Sequence, residues 1–409
     1  MYPLLDQLCV VECASFIAAP SCCLHLQQMG AQVIRIDPIG GGPDFHRWPR
    51  AGNGDGASLY WEGLNKGKLS VAVDFASPQG RALVTQLICT PGENNGIFVT
   101  NFPAEGFLSH ERLRGERPDL ITTRVMGWPD GTPAVDYTVN SAIGVPLMTG
   151  PADGAAPVNH VLPAWDLLAG AYAAFATLAA ERQRRQTGLG QELRVPLSDV
   201  AIASLAHMGQ VAEVLGQGDR PRMGNELYGA FGRDFATADG RRIMLVAITR
   251  RQWSGLLEAL GLVSAVAEIE SALGVSFAAD EGVRFTHRAV LFGLVEAAIG
   301  QRKLDDLARA FEARGVCWGP YQTLSEAIAT DPRLVSGNPL FSSVTHRGGA
   351  TYPTPGAMAT LPQQQRSAAR PSPRLGQHTD EVLAERLGLT AAQIGRLHDQ
   401  GRIAGPTKD

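Results

Sequence analysis

The feature that most constrains this chain is an alternation of short apolar runs with segments of helical spacing, repeated through its first 130 residues. Residues 8–11 form an apolar run. Pro20 then opens a segment with Cys23, Leu24, Leu26 and Met29 at helical spacing, and Gly30 closes it. Residues 33–36 read as the next strand. A strand, a helix and a second strand make the smallest parallel α/β module. The pattern recurs, with strands at 69–73, 96–99 and 120–125 and a helix at 80–88. It predicts an α/β fold with a doubly wound parallel sheet and ligands at the carboxyl ends of its strands.

The remainder reads as follows. Asn159-His160-Val161-Leu162-Pro163-Ala164-Trp165-Asp166 leads into a long helix through Ala171, Ala174, Leu178 and Ala179 to Arg182, Arg184 and Arg185. Gly188 and Gly190 stop it, and residues 192–195 resume as a strand. The character changes between 217 and 228, a stretch bearing Gly, Arg and Pro. Strands at 231–236 and 243–246 follow, joined by the Asp239-Gly240 turn signal. Helical segments run from 252 to about 314, and together these suggest a smaller α+β domain. Beyond Asp331-Pro332 a Pro- and Gly-rich passage reads as irregular to about 373, and a compact helical tail spans 379–400. A chain of 409 residues is long enough for two domains.

Composition narrows the function class. A 44% hydrophobic and 19% charged chain buries a core rather than staying disordered. A net charge of -4 carries no nucleic-acid footprint. Cys9, Cys13, Cys22, Cys23, Cys89 and Cys317 include no C-x-x-C pair and no zinc-finger spacing, so buried thiols in a reducing compartment are expected. The start of the chain lacks the pattern of a signal peptide, and no apolar run approaches the ~20 residues of a membrane span. A cytoplasmic protein without membrane or nucleic-acid partners is expected.

Three motifs carry candidate chemistry. Gly40-Gly41-Gly42 follows a strand, but Pro43 comes next and the G-x-G-x-x-G spacing is missing, so a turn is favoured over a dinucleotide site. Asn65-Lys66-Gly67-Lys68 can present ammonium groups to phosphates or serve as a solvated turn. Asp166, three residues after Pro163, falls in the first turn of the long helix. There it either complements the helix dipole or serves as an ionised nucleophile. No G-x-S-x-G, H-E-x-x-H or carboxylate cluster points to a serine hydrolase or a catalytic metal.

Taken in order, these segments resemble the class III CoA-transferases, the group that contains formyl-CoA and carnitine CoA-transferases. The resemblance spans nearly the whole chain. It is carried by Val10-Val11-Glu12, Ala18-Ala19-Pro20 and Gly30-Ala31-Gln32-Val33-Ile34-Arg35-Ile36. Asn65-Lys66-Gly67-Lys68-Leu69-Ser70, Asp166 with Ala169-Gly170, Thr187-Gly188-Leu189-Gly190-Gln191 and Pro373-Arg374-Leu375-Gly376-Gln377-His378-Thr379 continue it. Asp37-Pro38-Ile39-Gly40-Gly41-Gly42, Thr100-Asn101-Phe102-Pro103, residues 159–166 and residues 224–234 further resemble the mesaconyl-CoA (2-methylfumaryl-CoA) isomerases within that family. The resemblance implies a Rossmann-like large domain with a smaller inserted α+β domain, in an interlocked homodimer. Its parts are 1–215, with the catalytic aspartate and CoA binding, the small domain at 216–330, and a return to the large domain at 331–409.

The resemblance further implies Asp166 as nucleophile, with CoA contacts from Ile17, Ala18, Arg35, Asn65, Lys66, Lys68, Asn101 and Phe102. The amides near Ala18 are candidates for an oxyanion site. The implied reaction moves CoA between the two carboxylates of mesaconate, from 2-methylfumaryl-CoA to 3-methylfumaryl-CoA, through an aspartyl-CoA thioester. Coenzyme A enters as the substrate thioester, and no metal or redox cofactor is called for. An intermolecular transferase between acids such as succinate and citramalate would use the same residues. Ile17 stands where formyl-CoA transferase has Gln, so oxalate or formate handling is not implied. Pro38 and His110 stand near positions where some members place Arg against CoA phosphates, so those contacts are not carried over. The related racemases use a His-Asp pair in a G-H-D segment, and Ala134-Val135-Asp136-Tyr137 here lacks that histidine. His46, Arg47, His160 and Arg222 are the candidates for holding the free carboxylate. Gly224, Gly229 and Gly232 would let a loop close over the site.

Overall fold

The structure, a computed structural model, describes residues 1–52 and 56–406. The chain divides into two compact units. One comprises Met1–Ile143, His160–Ala212 and Asp331–Asp409, and the other Gly144–Asn159 and Glu213–Thr330.

The first unit is built on β1 (Cys9–Cys13), β2 (Gln32–Pro38), β3 (Leu69–Val73), β4 (Ile97–Thr100), β5 (Ile121–Met126) and β6 (Gln191–Pro196). All five pairings among these six strands are parallel, in the order β3-β2-β1-β4-β5-β6. Their Val, Ile and Phe residues are buried whichever face they point to, as a parallel sheet covered by helices requires. One core layer holds Val10, Val33, Val99 and Ile121 against the helices Ala18–Gln28 and Ala164–Thr187. The opposite layer holds Val11, Ile34, Val71 and Phe98 against the helix Pro78–Ile88 and the C-terminal helices. The order reverses between β1 and β4. Loops leaving neighbouring parallel strands in opposite directions open a crevice there, the usual ligand position of such sheets.

The helices Ala18–Gln28 and Ala164–Thr187 pack very closely. A Cβ at Gly170 would lie 1.9 Å from Ser21 Oγ and 2.7 Å from the Ala18 carbonyl oxygen. Ala169, Ala173 and Ala174 are buried on the same stripe. This close packing explains the small-residue content of the long helix. Arg184 and Arg185 in its last turn and Gly188 at φ 71° end it as expected.

Three passages depart from the sequence reading. The passage expected to be irregular contains the antiparallel hairpin β10 (Phe341–Thr345) and β11 (Thr351–Pro355). The tail is two helices, Thr379–Leu387 and Ala391–Asp399, parted by Gly388 at φ 66°, and β12 (Ile403–Ala404) then pairs antiparallel to β3. The Pro373–Thr379 motif is a docking device for that return. His378 Nδ1 accepts from the Ser70 amide, Ser70 Oγ accepts from the Gly376 amide, and Thr379 Oγ1 accepts from the Ala72 amide.

In the second unit, β7 (Phe231–Ala236), β8 (Arg242–Ala247) and β9 (Cys317–Pro320) form an antiparallel sheet. Phe231, Phe235, Trp253, Phe292 and Phe311 fill its core with the covering helices. Residues 144–159, read from sequence as large-domain, belong to this unit. Arg222 fastens them by donating to the carbonyls of Leu147, Gly154 and Pro146.

Candidate active site

The crevice at the sheet reversal is built from the carboxyl ends of β1 and β4. Thr100 Oγ1 donates to the Cys13 carbonyl at 2.7 Å. The Asn101 side chain takes both polar groups of Ser15, accepting from its amide at 3.0 Å and donating to its carbonyl at 2.8 Å. Asp44 accepts from the Phe16 amide at 3.2 Å. So pinned, Phe16 adopts φ 69°, the single non-glycine residue with positive φ among the described residues. Such a conformation costs about 1–3 kcal/mol and persists only where its surroundings impose it. Ile17 and Ala18 follow directly as the start of the helix Ala18–Gln28, whose first turn has no side-chain cap and no acidic residue. Its leading amides are therefore suited to an anion or developing oxyanion.

Asp44 is held in turn by a buried charge cluster. Arg35 donates to Asp37, Glu12, Asn65 and Asp44. Lys68 Nζ donates to Glu12 at 2.7 Å, the Pro20 carbonyl at 3.0 Å and Asn65 Oδ1 at 3.0 Å. Each of the three ammonium hydrogens of Lys68 and the five N–H groups of Arg35 has a partner within this set. Both side chains are enclosed. The acidic neighbours push the Arg35 pKa further up, against the opposing cost of burial. This corrects the sequence expectation for Arg35, Lys68 and Asn65. Arg35 and Lys68 have no donor left for a phosphate, and Arg35 fixes Asp44 and hence Phe16. The buried Asn65 side chain is turned to the cluster, its oxygen accepting from both cations and its amide donating to the Trp61 carbonyl. The cluster also excludes the solvated-turn reading of Asn65–Lys68.

Lys66 is buried as well, beside Leu59, Gly63, His346, Tyr352 and Thr354, and burial with the nearby Lys68 lowers its pKa to about 8. Phe102 and Asn101 line a cavity of about 530 Å³ with Arg124, Met126 and Arg194. Gly40 and Gly41 form a turn with φ 91° and 93°, closed by a hydrogen bond from the Gly41 amide to the Pro38 carbonyl. No helix opens there.

Asp166 occupies the first turn of Ala164–Thr187, one turn before Gly170. Its surroundings reverse the expected dipole effect. The Asp136 carboxylate caps this helix, accepting from the amides of Trp165 at 2.7 Å and Asp166 at 3.1 Å. Its other oxygen meets His160 Nε2 at 2.5 Å. The amides that would have favoured a charge on Asp166 thus serve Asp136. Burial, then the Asp136 charge, push the Asp166 carboxyl up to about 7, with Arg47 pulling the other way. A carboxyl poised near neutrality is basic enough to attack a carbonyl while still ionising at working pH.

Asp136 was visible in sequence only as the partner of a missing histidine. His160, from a different segment, pairs with Asp136, a contact that no local motif could reveal. Tyr60 was also missed. Its hydroxyl is enclosed without a hydrogen-bond partner among the described residues, and burial raises its pKa, with Asp166 adding to the rise.

The sequence matches a known group of proteins. Residues 5–379 match the family described as CoA-transferase family III. The chain belongs to that family. Among its relatives, 2-methylfumaryl-CoA isomerase of Chloroflexus aurantiacus is 49% identical over 409 residues, covering 100% of both chains. Succinate–glutarate CoA-transferase of Agrobacterium fabrum is 31% identical, covering 94% of this chain and 96% of its own. The crystal structure of a CAIB/BAIF family protein from Brucella suis superposes with a TM-score of 0.73 at 25% identity, covering 94% of this chain and 100% of that one. As a family III member the chain has a mixed α/β fold with a central parallel sheet, and its Asp166 site lies on the first unit.

Proposed function

We propose that the protein is a 2-methylfumaryl-CoA isomerase, moving coenzyme A between the two carboxylates of one mesaconate molecule. The observation that carries this reading is the 49% identity to such an isomerase over the full length of both chains, with relatives near 30% acting as transferases between separate acids.

The chemistry follows from Asp166. Its carboxylate attacks the thioester carbonyl, and the C–S bond breaks to give an acyl-aspartyl anhydride and CoA thiolate. The thiolate attacks the aspartyl carbonyl, leaving an aspartyl-CoA thioester and free mesaconate. Mesaconate turns, its second carboxylate attacks that thioester, and thiolate is released again. Attack of thiolate on the mesaconyl carbonyl of the second anhydride yields 3-methylfumaryl-CoA and restores the Asp166 carboxylate. Splitting the exchange into these steps lowers the barrier to each, and confinement supplies a high effective concentration. The uncapped amides after Ile17 are suited to the tetrahedral oxyanions. The cavity lined by Asn101 and Phe102 is a suitable bed for the CoA chain, and Ile17 and Ala18, which follow the turn that Asn101 pins at Ser15, are assigned to the thioester.

A homodimer belongs to the proposal. The long helix exposes Leu168, Tyr172 and Phe175, with Phe175 at 65%, an apolar face that a second copy would cover. Neither a metal nor a redox group is required by the chemistry. Among the described residues no helix is long and apolar enough to cross a membrane. A cytoplasmic setting is part of the reading.

The test is incubation with 2-methylfumaryl-CoA followed by chromatographic separation of the regioisomers. Approach to a mixture of both from either side is expected. Unchanged substrate, with CoA passing only to added succinate or citramalate, would replace the isomerase by an intermolecular transferase.

A further inference from the structure

The reaction requires that the carboxylate not under attack be held. Of the four candidate side chains, His160 is engaged with Asp136 and Arg222 with three backbone carbonyls of the second unit. His46 lies against the Phe45 ring and lines a cavity with Arg50 and Glu62. Arg47 is different. Its guanidinium lies 5.4 Å from the centroid of the Phe16 ring and 5.1 Å from that of Tyr60. It makes no ion pair among the described residues, and its charge acts on both Asp166 and Tyr60.

We propose that Arg47, seated between Phe16 and Tyr60, binds the free carboxylate of a short dicarboxylate thioester, with the Tyr60 hydroxyl as a second donor. The inference rests on Asp166 being the nucleophile of the proposed reaction.

Three features of the first unit converge on it. Tyr60 Oη is an enclosed hydroxyl without a hydrogen-bond partner among the described residues, and a buried donor of that kind is stabilised by an acceptor. Phe16 is strained at φ 69° and fixed through Asp44 by the Arg35 cluster, so the platform beneath Arg47 is rigid. Phe16 also directly precedes the turn whose helix packs on Gly170, one turn from Asp166, so the anchor and the nucleophile share one frame. A guanidinium stacked on rings keeps its N–H edge free for a carboxylate, which a lysine would meet only as a point charge. One anchor serves both halves of the isomerisation. It holds one carboxylate while the thioester end is opened. After mesaconate turns, it holds the other while the first attacks the aspartyl thioester.

The experiment traps the aspartyl intermediate with hydroxylamine and follows adduct formation on the full chain by intact mass. The probes are 2-methylfumaryl-CoA, succinyl-CoA and crotonyl-CoA, the last lacking a second carboxylate. Arg47→Ala should lower kcat/KM for trapping from both carboxylate-bearing probes roughly 10–100-fold more than from crotonyl-CoA, the loss expected of a charged hydrogen bond. Arg47→Lys should recover part of it, and Tyr60→Phe should show a smaller loss with the same selectivity. Equal losses on all three probes would overturn the assignment, since Arg47 would then act only on Asp166 or on the fold. So would a wild-type enzyme that forms no adduct or does not favour the carboxylate-bearing probes. Selective loss in an enzyme that fails to interconvert the regioisomers would support the anchor while refuting the isomerase reading.

Discussion

Asp136 holds a charge beside Asp166, the proposed nucleophile, so removing that charge while keeping its hydrogen bonds to the helix amides should move the pH profile in a predictable direction. Asn at position 136 still accepts from the Trp165 and Asp166 amides, contacts of 2.7 and 3.1 Å in the native protein, and Asn caps helices about as well as Asp. The fold should therefore survive. The Asp166 carboxyl, now at about 7, should fall toward the ordinary 3.8, because one of the two causes raising it is gone. Burial, the larger cause, remains, so a fall of roughly one to two units is expected. The sign follows directly. Attack requires the carboxylate, so kcat/KM rises with pH through the Asp166 pKa, and a lower pKa moves that limb to lower pH. At pH 6, a group with a pKa of about 7 is about 9% ionised, and one near 5.5 is about 76% ionised, a gain of up to about eightfold. Above pH 8 both forms are ionised, and the less basic carboxylate of Asp136→Asn should be the slower nucleophile. The assay is kcat/KM for hydroxylamine trapping from pH 5 to 9. An acidic limb that stays put or moves to higher pH in the variant would refute this account of how Asp166 is poised.

Other consequences follow from the same geometry. Because the folded Asp166 pKa lies above its unfolded value, the protein loses stability as pH rises from 3.8 through about 7. Asp166→Ala should thus abolish transfer yet raise the melting temperature at pH 8 by about 2–4 °C, measured by calorimetry. Lys68→Met removes one of the two buried cations that hold Glu12 and Asn65, leaving Arg35 alone among the acids, and should cost about 3–5 kcal/mol in a denaturant titration, with KM for the CoA ester little changed in the folded fraction. A large KM effect without destabilisation would restore Lys68 to CoA binding. Gly170→Ala places a methyl group 1.9 Å from Ser21 Oγ, so the two helices must separate. Destabilisation of about 1–3 kcal/mol should accompany a reduced rate. With excess labelled mesaconate, isomerisation should proceed with little label in the product, and labelling as fast as isomerisation would favour intermolecular transfer.

The parallel sheet was legible because its strands are buried on both faces, which leaves short apolar runs such as those at 8–11 and 97–99. The hairpin β10–β11 was not. Its register pairs Thr345 with Thr351 and Ser343 with Pro353, so no apolar alternation marks it, and prolines usually argue against a strand. β12 has only two residues and exists through its pairing with β3. At the site, Asp166 was legible because Pro163 and the apolar stripe fix its place in the first turn. Its protonation was not, since that depends on Asp136, 30 positions earlier in the chain. Lys68 and Arg35 were misread for a related reason. Sequence shows a cation but not the acids folded around it, and Glu12 is 56 residues from Lys68.

The central claim is that Asp166 carries the acyl group and then CoA. The most direct measurement is peptide mapping by mass spectrometry after incubation with 2-methylfumaryl-CoA and hydroxylamine. The account predicts a hydroxamate on the peptide containing Asp166, formed only when the CoA ester is present and absent from Asp166→Ala. A hydroxamate on another residue, or near-native turnover of Asp166→Ala without any adduct, would contradict it.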